Sequence, residues 1–273
     1  MDIKLRLKGA GVALTTPFLE DETIDYNSLE KQIEHVINGG IDFIVLFGTT
    51  GESSTIFEIE KKNALKFVVN KIAGRVPIVF GMGSNNTSDL VNDLLNFDLQ
   101  GVDAIMSVCP YYNKPNQDGI YYHYKAISES TDLPIIIYNV PGRSVVNIEP
   151  LTTLRIAENL KNVIGIKEAT DNIDQVMDLI NKKPKDFLVI AGDDSLALPF
   201  MSLGADGAIS VIANAFPKEF SDIIHYAANN DYVNARKAHY KILPLMHTLL
   251  KSGNPAGIKA AVNVRGLCQY YFR

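Results

Sequence analysis

Eight short, uninterrupted apolar runs rich in Val, Ile and Phe constrain this chain most. They are GVALTTP (11–17), FIVLFG (43–48), PIVFGM (77–82), AIMSVCP (104–110), PIIIYN (134–139), VIGIKEA (163–169), FLVIAG (187–192) and GAISV (207–211). A half-exposed strand alternates apolar and polar residues, whereas runs this continuous read as parallel strands covered on both faces. Amphipathic stretches lie between them. YNSLEKQIEHVINGG (26–40) sets Leu29, Ile33, Val36 and Ile37 on one stripe and closes on a glycine pair. EIEKKNALKFVVNKIAG runs helically to Gly74, with Thr55 and Glu58 spaced as a capping box. The strand–helix units recur roughly every 20–35 residues without a linker, which predicts a closed (β/α)8 TIM barrel. An open doubly wound sheet is the alternative, but no GxGxxG or Walker-type loop follows the first run.

After the eighth run the pattern is all helix: PKEFSDIIHYAANN, DYVNARKAHYKILPLMHTLLKSG and NPAGIKAAVNVRGL. That exceeds one closing helix, so we expect a barrel catalytic domain over 1–228 and a C-terminal helical region over 229–273, suited to lid or oligomer contacts. The chain stops at CQYYFR with no helix-ending signal, and a missing last element is expected there. With 26 basic against 31 acidic residues the net charge is −5, and neither sign forms a long run, which disfavours nucleic acid as a partner. Cys109 and Cys268 offer neither a disulfide framework nor paired metal-ligand spacing, as expected for a reducing cytoplasm. The N-terminus lacks a signal-peptide h-region and no segment approaches the ~20 apolar residues of a membrane span, so neither export nor membrane insertion is expected.

In such a barrel the functional groups sit at the C-terminal ends of the strands. Lys167 in VIGIKEAT is a lone cation late in an apolar run. Counting by twos groups it with Gly165, opposite Ile164 and Ile166. With the isoleucines against the helices, the lysine points into the barrel. Desolvation favours a neutral amine, the form that attacks ketones and makes Schiff bases. The competing reading pairs Lys167 with Glu168 at the rim, although adjacent strand residues face opposite sides. Tyr138 in PIIIYNVPGR has the parity of Ile136. It is either a proton relay or a core aromatic with its hydroxyl on backbone. Arg143, in a Pro-Gly turn, is either a bidentate carboxylate clamp or a surface arginine. GTTGES lets turn N–H groups converge on an anion, with Thr49 and Thr50 adding hydroxyls, or is a plain tight turn with a helix cap. Tyr111 and Tyr112, in the polar loop YYNKPNQDG, suggest a site or an interface. His35, His123, His225, His239 and His247 lie on helical patterns without metal spacing, and Cys109 reads as packing. GDD (192–194) reads as a helix cap, with Asp194 or Ser195 opening LALPFMSLG, rather than as a metal site. No metal site is expected.

GTTGES, PYYN, YNVPGR and GIKEAT, in that order, resemble the dihydrodipicolinate synthases, within the pyruvate-dependent Schiff-base aldolase family that includes N-acetylneuraminate lyase. The resemblance covers nearly the whole chain and implies a (β/α)8 barrel with C-terminal helices. It implies a lyase that condenses pyruvate with L-aspartate 4-semialdehyde to 4-hydroxy-tetrahydrodipicolinate, in lysine and diaminopimelate biosynthesis. By that resemblance Lys167 forms the imine, Tyr138 relays protons, and Thr49 links it to Tyr112. In the family this second tyrosine reaches in from a neighbouring subunit, which implies a dimer commonly paired into a homotetramer. Thr50 would hold the pyruvate carboxylate, Arg143 the carboxylate of the semialdehyde, and Gly192 and Ile209 would line the pyruvate pocket. No metal or organic cofactor is implied, since the imine on Lys167 is the electron sink. Ser53, Glu58, Lys61, Asn85, Asp89 and Tyr111 fall near the lysine-binding cleft of feedback-sensitive members. Lys61 stands where those members carry His or Glu, and its charge would repel the ligand's ammonium, so weak feedback is expected. Family members extend further at the C-terminus. The alternatives are another pyruvate aldolase, such as N-acetylneuraminate lyase or a 2-keto-3-deoxy sugar acid aldolase, against which Arg143 argues, and a non-catalytic keto-acid-binding barrel.

Overall fold

Each apolar run becomes a strand: β1 (Gly9–Ala13), β2 (Phe43–Leu46), β3 (Ile78–Gly81), β4 (Ala104–Val108), β5 (Ile135–Asn139), β6 (Val163–Glu168), β7 (Leu188–Ala191) and β8 (Gly207–Ser210). In the computed structural model, which describes residues 2–273, these strands pair in parallel in sequence order. β8 returns to β1, so the sheet closes into a barrel without a free edge. β1 ends earlier than its apolar run because the next residues leave the ladder. The Thr15 N–H donates to Asn214 Oδ1 (2.9 Å) and the Thr16 hydroxyl to the Gly51 carbonyl (2.7 Å).

The helices are α1 (Ile3–Arg6), α2 (Tyr26–Asn38), α3 (Glu58–Ile72), α4 (Thr87–Asn96), α5 (Gln117–Ser128), α6 (Pro141–Ser144), α7 (Pro150–Asn159), α8 (Ile173–Lys182), α9 (Ala197–Leu203), α10 (Pro217–Ala228), α11 (Tyr232–Lys251) and α12 (Ala256–Val264). Alternation along the strands builds two cores. Phe43, Val45, Val79, Ala104, Met106, Ile136, Leu188, Ile190 and Ile209 fill the barrel, with Leu7 among them just after α1. Ile44, Leu46, Ile78, Phe80, Ile105, Ile135, Ile137 and Val189 face the helices. The inner residues of β1 are small to admit the Phe43 ring: a Cβ on Gly11 would stand 2.4 Å from it. α10 completes the eighth unit, and α11 and α12 follow as the three C-terminal helical patterns require.

Three local expectations are corrected. Ile164 faces the barrel interior rather than the helices, because the β5–β6 register slips. Ile135 pairs with Val163 and Ile136 with Gly165, leaving Ile164 as the extra residue of a bulge. Thr55 does not cap α3: its hydroxyl donates to the Glu52 carbonyl, and Glu60 instead accepts from the Phe57 N–H (3.0 Å). Asp194 does not open α9. Its buried carboxylate accepts from the Val211 and Ile212 N–H groups at 3.1 and 2.8 Å and braces the turn after β8. Asp193 instead accepts from the Ser195 and Leu196 N–H groups at 2.8 and 3.2 Å.

Candidate active site

Beyond the bulge, β5 and β6 place Tyr138 beside Lys167 in register. The pair stays in the barrel because Gly165 and Lys167 keep the inward parity of Ile136 and Tyr138. Lys167 is only 4% exposed, and its Nζ stands 4.4 Å from the centroid of the Tyr138 ring. Glu168 turns outward instead, its Oε1 accepting from Asn139 Nδ2 (2.8 Å) and its Oε2 from Gln175 Nε2 (3.3 Å). Burial pushes the Glu168 carboxyl up to about 8 in spite of those bonds. The two side chains are thus separated by the strand itself, and Glu168 does not engage the lysine.

The same network reaches the loop that carries Arg143. Asn139 Nδ2 also donates to Asn147 Oδ1 (2.9 Å), Asn139 Oδ1 accepts from the Ile148 N–H (3.0 Å), and Asn147 and Gln175 bond each other through their amides (2.8 Å). Arg143 itself lies in the one-turn helix α6. The ends of β5 and β6 and the turn after β5 are therefore one hydrogen-bonded body.

A cavity of about 530 Å³ opens above Tyr138. Gly48 and Thr49, Met106 and Val108, Tyr138 and Val140, and Arg143 and Ser144 line one part of it. Ser53, Glu58, Lys61, Asp93 and Tyr111 line the other, so the candidate active site and much of the candidate effector cleft share one space. Burial draws the Lys61 ammonium below the usual lysine range, opposed by the nearby Asp93 and Glu58 carboxylates.

Thr50, Gly192 and Ile209 do not line this space. Thr50 is buried behind Thr49, its Oγ1 accepting from Asn254 Nδ2 (3.1 Å). Gly192 packs against the end of β6: its N–H donates to the Glu168 carbonyl (2.7 Å), and a Cβ there would stand 2.7 Å from Ala169 Cβ. Ile209 is in the barrel interior with Ile164 and Ile190. Lys167, Tyr112, Asn85 and Asp89 are likewise absent from the lining of the cavity. Tyr112 is 87% exposed, held at a left-handed φ of +74°, and does not line it. Asn85 and Asp89 also lie outside the lining, where the Asn85 carbonyl accepts from Asn113 Nδ2 (2.8 Å).

Sequence reasoning missed Asn254, Asp93 and the Glu168–Asn139–Gln175 network. Nothing local marks Asn254, because an Asn-Pro pair after a glycine reads as an ordinary turn. Glu168 carried a usable signal: an acid with outward parity in a buried strand must find polar partners on the helix side. Among the described residues, no group of three or more His, Cys, Asp or Glu is placed to hold a metal ion.

Residues 6–273 match the model of the dihydrodipicolinate synthetase family. The chain belongs to that family. The 4-hydroxy-tetrahydrodipicolinate synthase of Parabacteroides distasonis is 50% identical over 269 residues, covering 98% of this chain and 91% of the relative. Among solved structures, the chloride-inhibited dihydrodipicolinate synthase of Acinetobacter baumannii, complexed with pyruvate, superposes with a TM-score of 0.94 at 40% identity, over 98% of this chain and 91% of that one. The enzyme of Cyanidioschyzon merolae with lysine bound gives 0.92 at 33% identity, over 96% and 89%. In this member of the dihydrodipicolinate synthetase family, Lys167 and Tyr138 lie late in β6 and β5, Thr49 and Thr50 follow β2, and Arg143 follows β5.

Proposed function

We propose that this chain is a 4-hydroxy-tetrahydrodipicolinate synthase. The observation that carries the reading is Lys167, buried in the barrel with Nζ 4.4 Å from the ring centroid of Tyr138, which lines a cavity together with Thr49 and Arg143. The Lys167 amine adds to the C2 carbonyl of pyruvate and water leaves, giving the imine. The Tyr138 phenol relays the methyl proton that the imine loses, and the resulting enamine carbon attacks the aldehyde of L-aspartate 4-semialdehyde. The amine of the semialdehyde then displaces Lys167 by transimination, which closes the ring and frees the enzyme. The imine supplies the electron sink without an added organic cofactor. Thr50 holds the pyruvate carboxylate, Arg143 clamps the carboxylate of the semialdehyde, and Gly192 and Ile209 shape the pyruvate pocket.

Tyr112 completes the relay through Thr49 from the neighbouring subunit. Its exposure and its absence from the lining of its own cavity support that role, and the functional form is then a homodimer, paired into a homotetramer, in the cytoplasm. The barrel over 1–228 carries the chemistry and the region over 229–273 supports it. Ser53, Glu58, Lys61 and Tyr111, together with Asn85 and Asp89, form a lysine-effector cleft that binds weakly because the Lys61 ammonium repels that of the ligand. The test is pyruvate consumption by the purified chain with L-aspartate 4-semialdehyde, set beside consumption with N-acetylmannosamine. Consumption with the semialdehyde alone is expected, and consumption with the sugar alone would overturn the assignment of Arg143.

A further inference from the structure

The C-terminal helices reach the site through the short segment between α11 and α12. There the Asn254 side chain donates to Thr50 Oγ1 (3.1 Å) while its backbone carbonyl accepts from the Arg143 guanidinium (3.2 Å). Thr50 follows β2 and Arg143 follows β5, so one residue of the appendage bridges two separate strand ends.

That segment is held firmly. Lys259 on α12 is fully buried, and its ammonium pairs with the Glu52 carboxylate, two residues after Thr50. The same ammonium donates to the Tyr271 carbonyl (2.9 Å) and lies over the Phe18 ring at 4.3 Å. Removing one member of a buried pair strands the other charge, so this contact locks α12 to the GTTGES turn. The turn needs such a lock, because Glu52 sits at a left-handed φ of +56° that L side chains rarely adopt. Gly257 lets α12 lie close to α11, since a Cβ there would stand 1.9 Å from the Leu249 carbonyl.

A threonine hydroxyl has one hydrogen to give and lone pairs to accept with. By accepting from Asn254, Thr50 Oγ1 keeps its own hydrogen for another acceptor, and accepting one bond strengthens the donation of the next. Arg143, with one N–H on the Asn254 carbonyl, keeps its other donors for a carboxylate. We propose that Asn254 is a positioning residue: it fixes Thr50 as a hydrogen-bond donor to the keto-acid carboxylate and, through its carbonyl, sets the separation between that carboxylate and Arg143. The proposal rests on the roles of Thr50 and Arg143 given above, and Asn254 acts through them.

The experiment is borohydride trapping at graded pyruvate concentrations, with no aldehyde present, on the parent, Asn254→Ala and Asn254→Asp, each checked for native circular dichroism. Asn254→Ala raises the half-saturating pyruvate concentration about tenfold, the loss of one oriented bond to a charged group, with full labelling at saturation. Asn254→Asp is nearer in shape yet is expected to be worse, about a hundredfold, because its carboxylate captures the Thr50 hydrogen and opposes the ligand's charge. In a Thr50→Ala background, Asn254→Ala adds less than about twofold, since the hydroxyl it orients is gone. A purely structural role predicts the reverse order, with Asp closer to the parent than Ala. That order, full additivity with Thr50→Ala, or variants that match the parent would overturn the proposal. A parent that takes no label would overturn it together with the Schiff-base reading beneath it.

Discussion

Replacing Glu168 with glutamine isolates the titration of one buried carboxyl, next to the nucleophile on β6. Burial raises Glu168 from 4.5 to about 8 in the folded protein. Below pH 4.5 both the folded and the unfolded chain hold this proton, and its contribution to stability is fully present. As the pH rises, the unfolded chain ionises first, so unfolding releases a proton and stability falls until the pH passes the folded value near 8. Spread over about 3.5 pH units at about 1.4 kcal/mol each, the loss amounts to about 5 kcal/mol at most. The Glu168→Gln protein lacks this dependence. The difference in unfolding free energy between variant and parent therefore grows in the variant's favour by about 1.4 kcal/mol per pH unit across this range, then levels. Asp194, pushed up to about 6, acts with the same sign, and Glu60, held low by Arg273, with the opposite sign. Both are common to the two proteins and cancel in the difference. Urea unfolding from pH 5 to 9, at one protomer concentration and with equal m-values, reads the effect. A difference that stays constant over this range would mean that Glu168 is already ionised in the fold, and that the amides of Asn139 and Gln175 outweigh burial.

Arg143→Ala is expected to raise the KM for the semialdehyde by about 10- to 100-fold, the cost of a lost charge-assisted pair, while pyruvate trapping changes little. Steady-state kinetics beside trapping separate the two, and equal loss of both would sink the clamp. Calorimetry with L-lysine should give millimolar or weaker binding, tightened by Lys61→His. Micromolar binding by the parent would show that the Lys61 ammonium does not oppose the ligand. Phe43→Ala empties the space that the Gly11 backbone leaves for the ring and should cost about 3–5 kcal/mol, read by thermal unfolding, whereas a loss below about 1 kcal/mol would mean that the barrel interior collapses to fill it.

The strands were legible because their signal is strong and local: a parallel strand covered on both faces has no reason to alternate, and all eight runs formed strands. Parity then placed Lys167 and Tyr138 correctly on the inner face. The same counting failed at Ile164, because a bulge shifts parity by one residue and leaves no mark in an apolar run. Caps went astray where several acceptors compete within a few residues: Glu60 rather than Thr55 serves α3, and Asp193 rather than Asp194 serves the turn before α9. Asn254 could not be found from its neighbourhood, since what makes it matter is Thr50, 204 residues earlier in the chain. Tyr112 belongs to another class again: the role proposed for it needs a second copy of the chain, which no local pattern supplies.

The measurement that bears most directly on the chemistry is mass spectrometry of the protein reduced with borohydride in the presence of pyruvate. One N-carboxyethyl group per chain is predicted, on the peptide that contains Lys167, and none in Lys167→Ala. Lys61 is the instructive competitor, because it lines the cavity that Tyr138 borders, and burial draws its ammonium below the usual lysine range. Label on Lys61, or equal label on parent and Lys167→Ala, would contradict the assignment of Lys167 as the nucleophile.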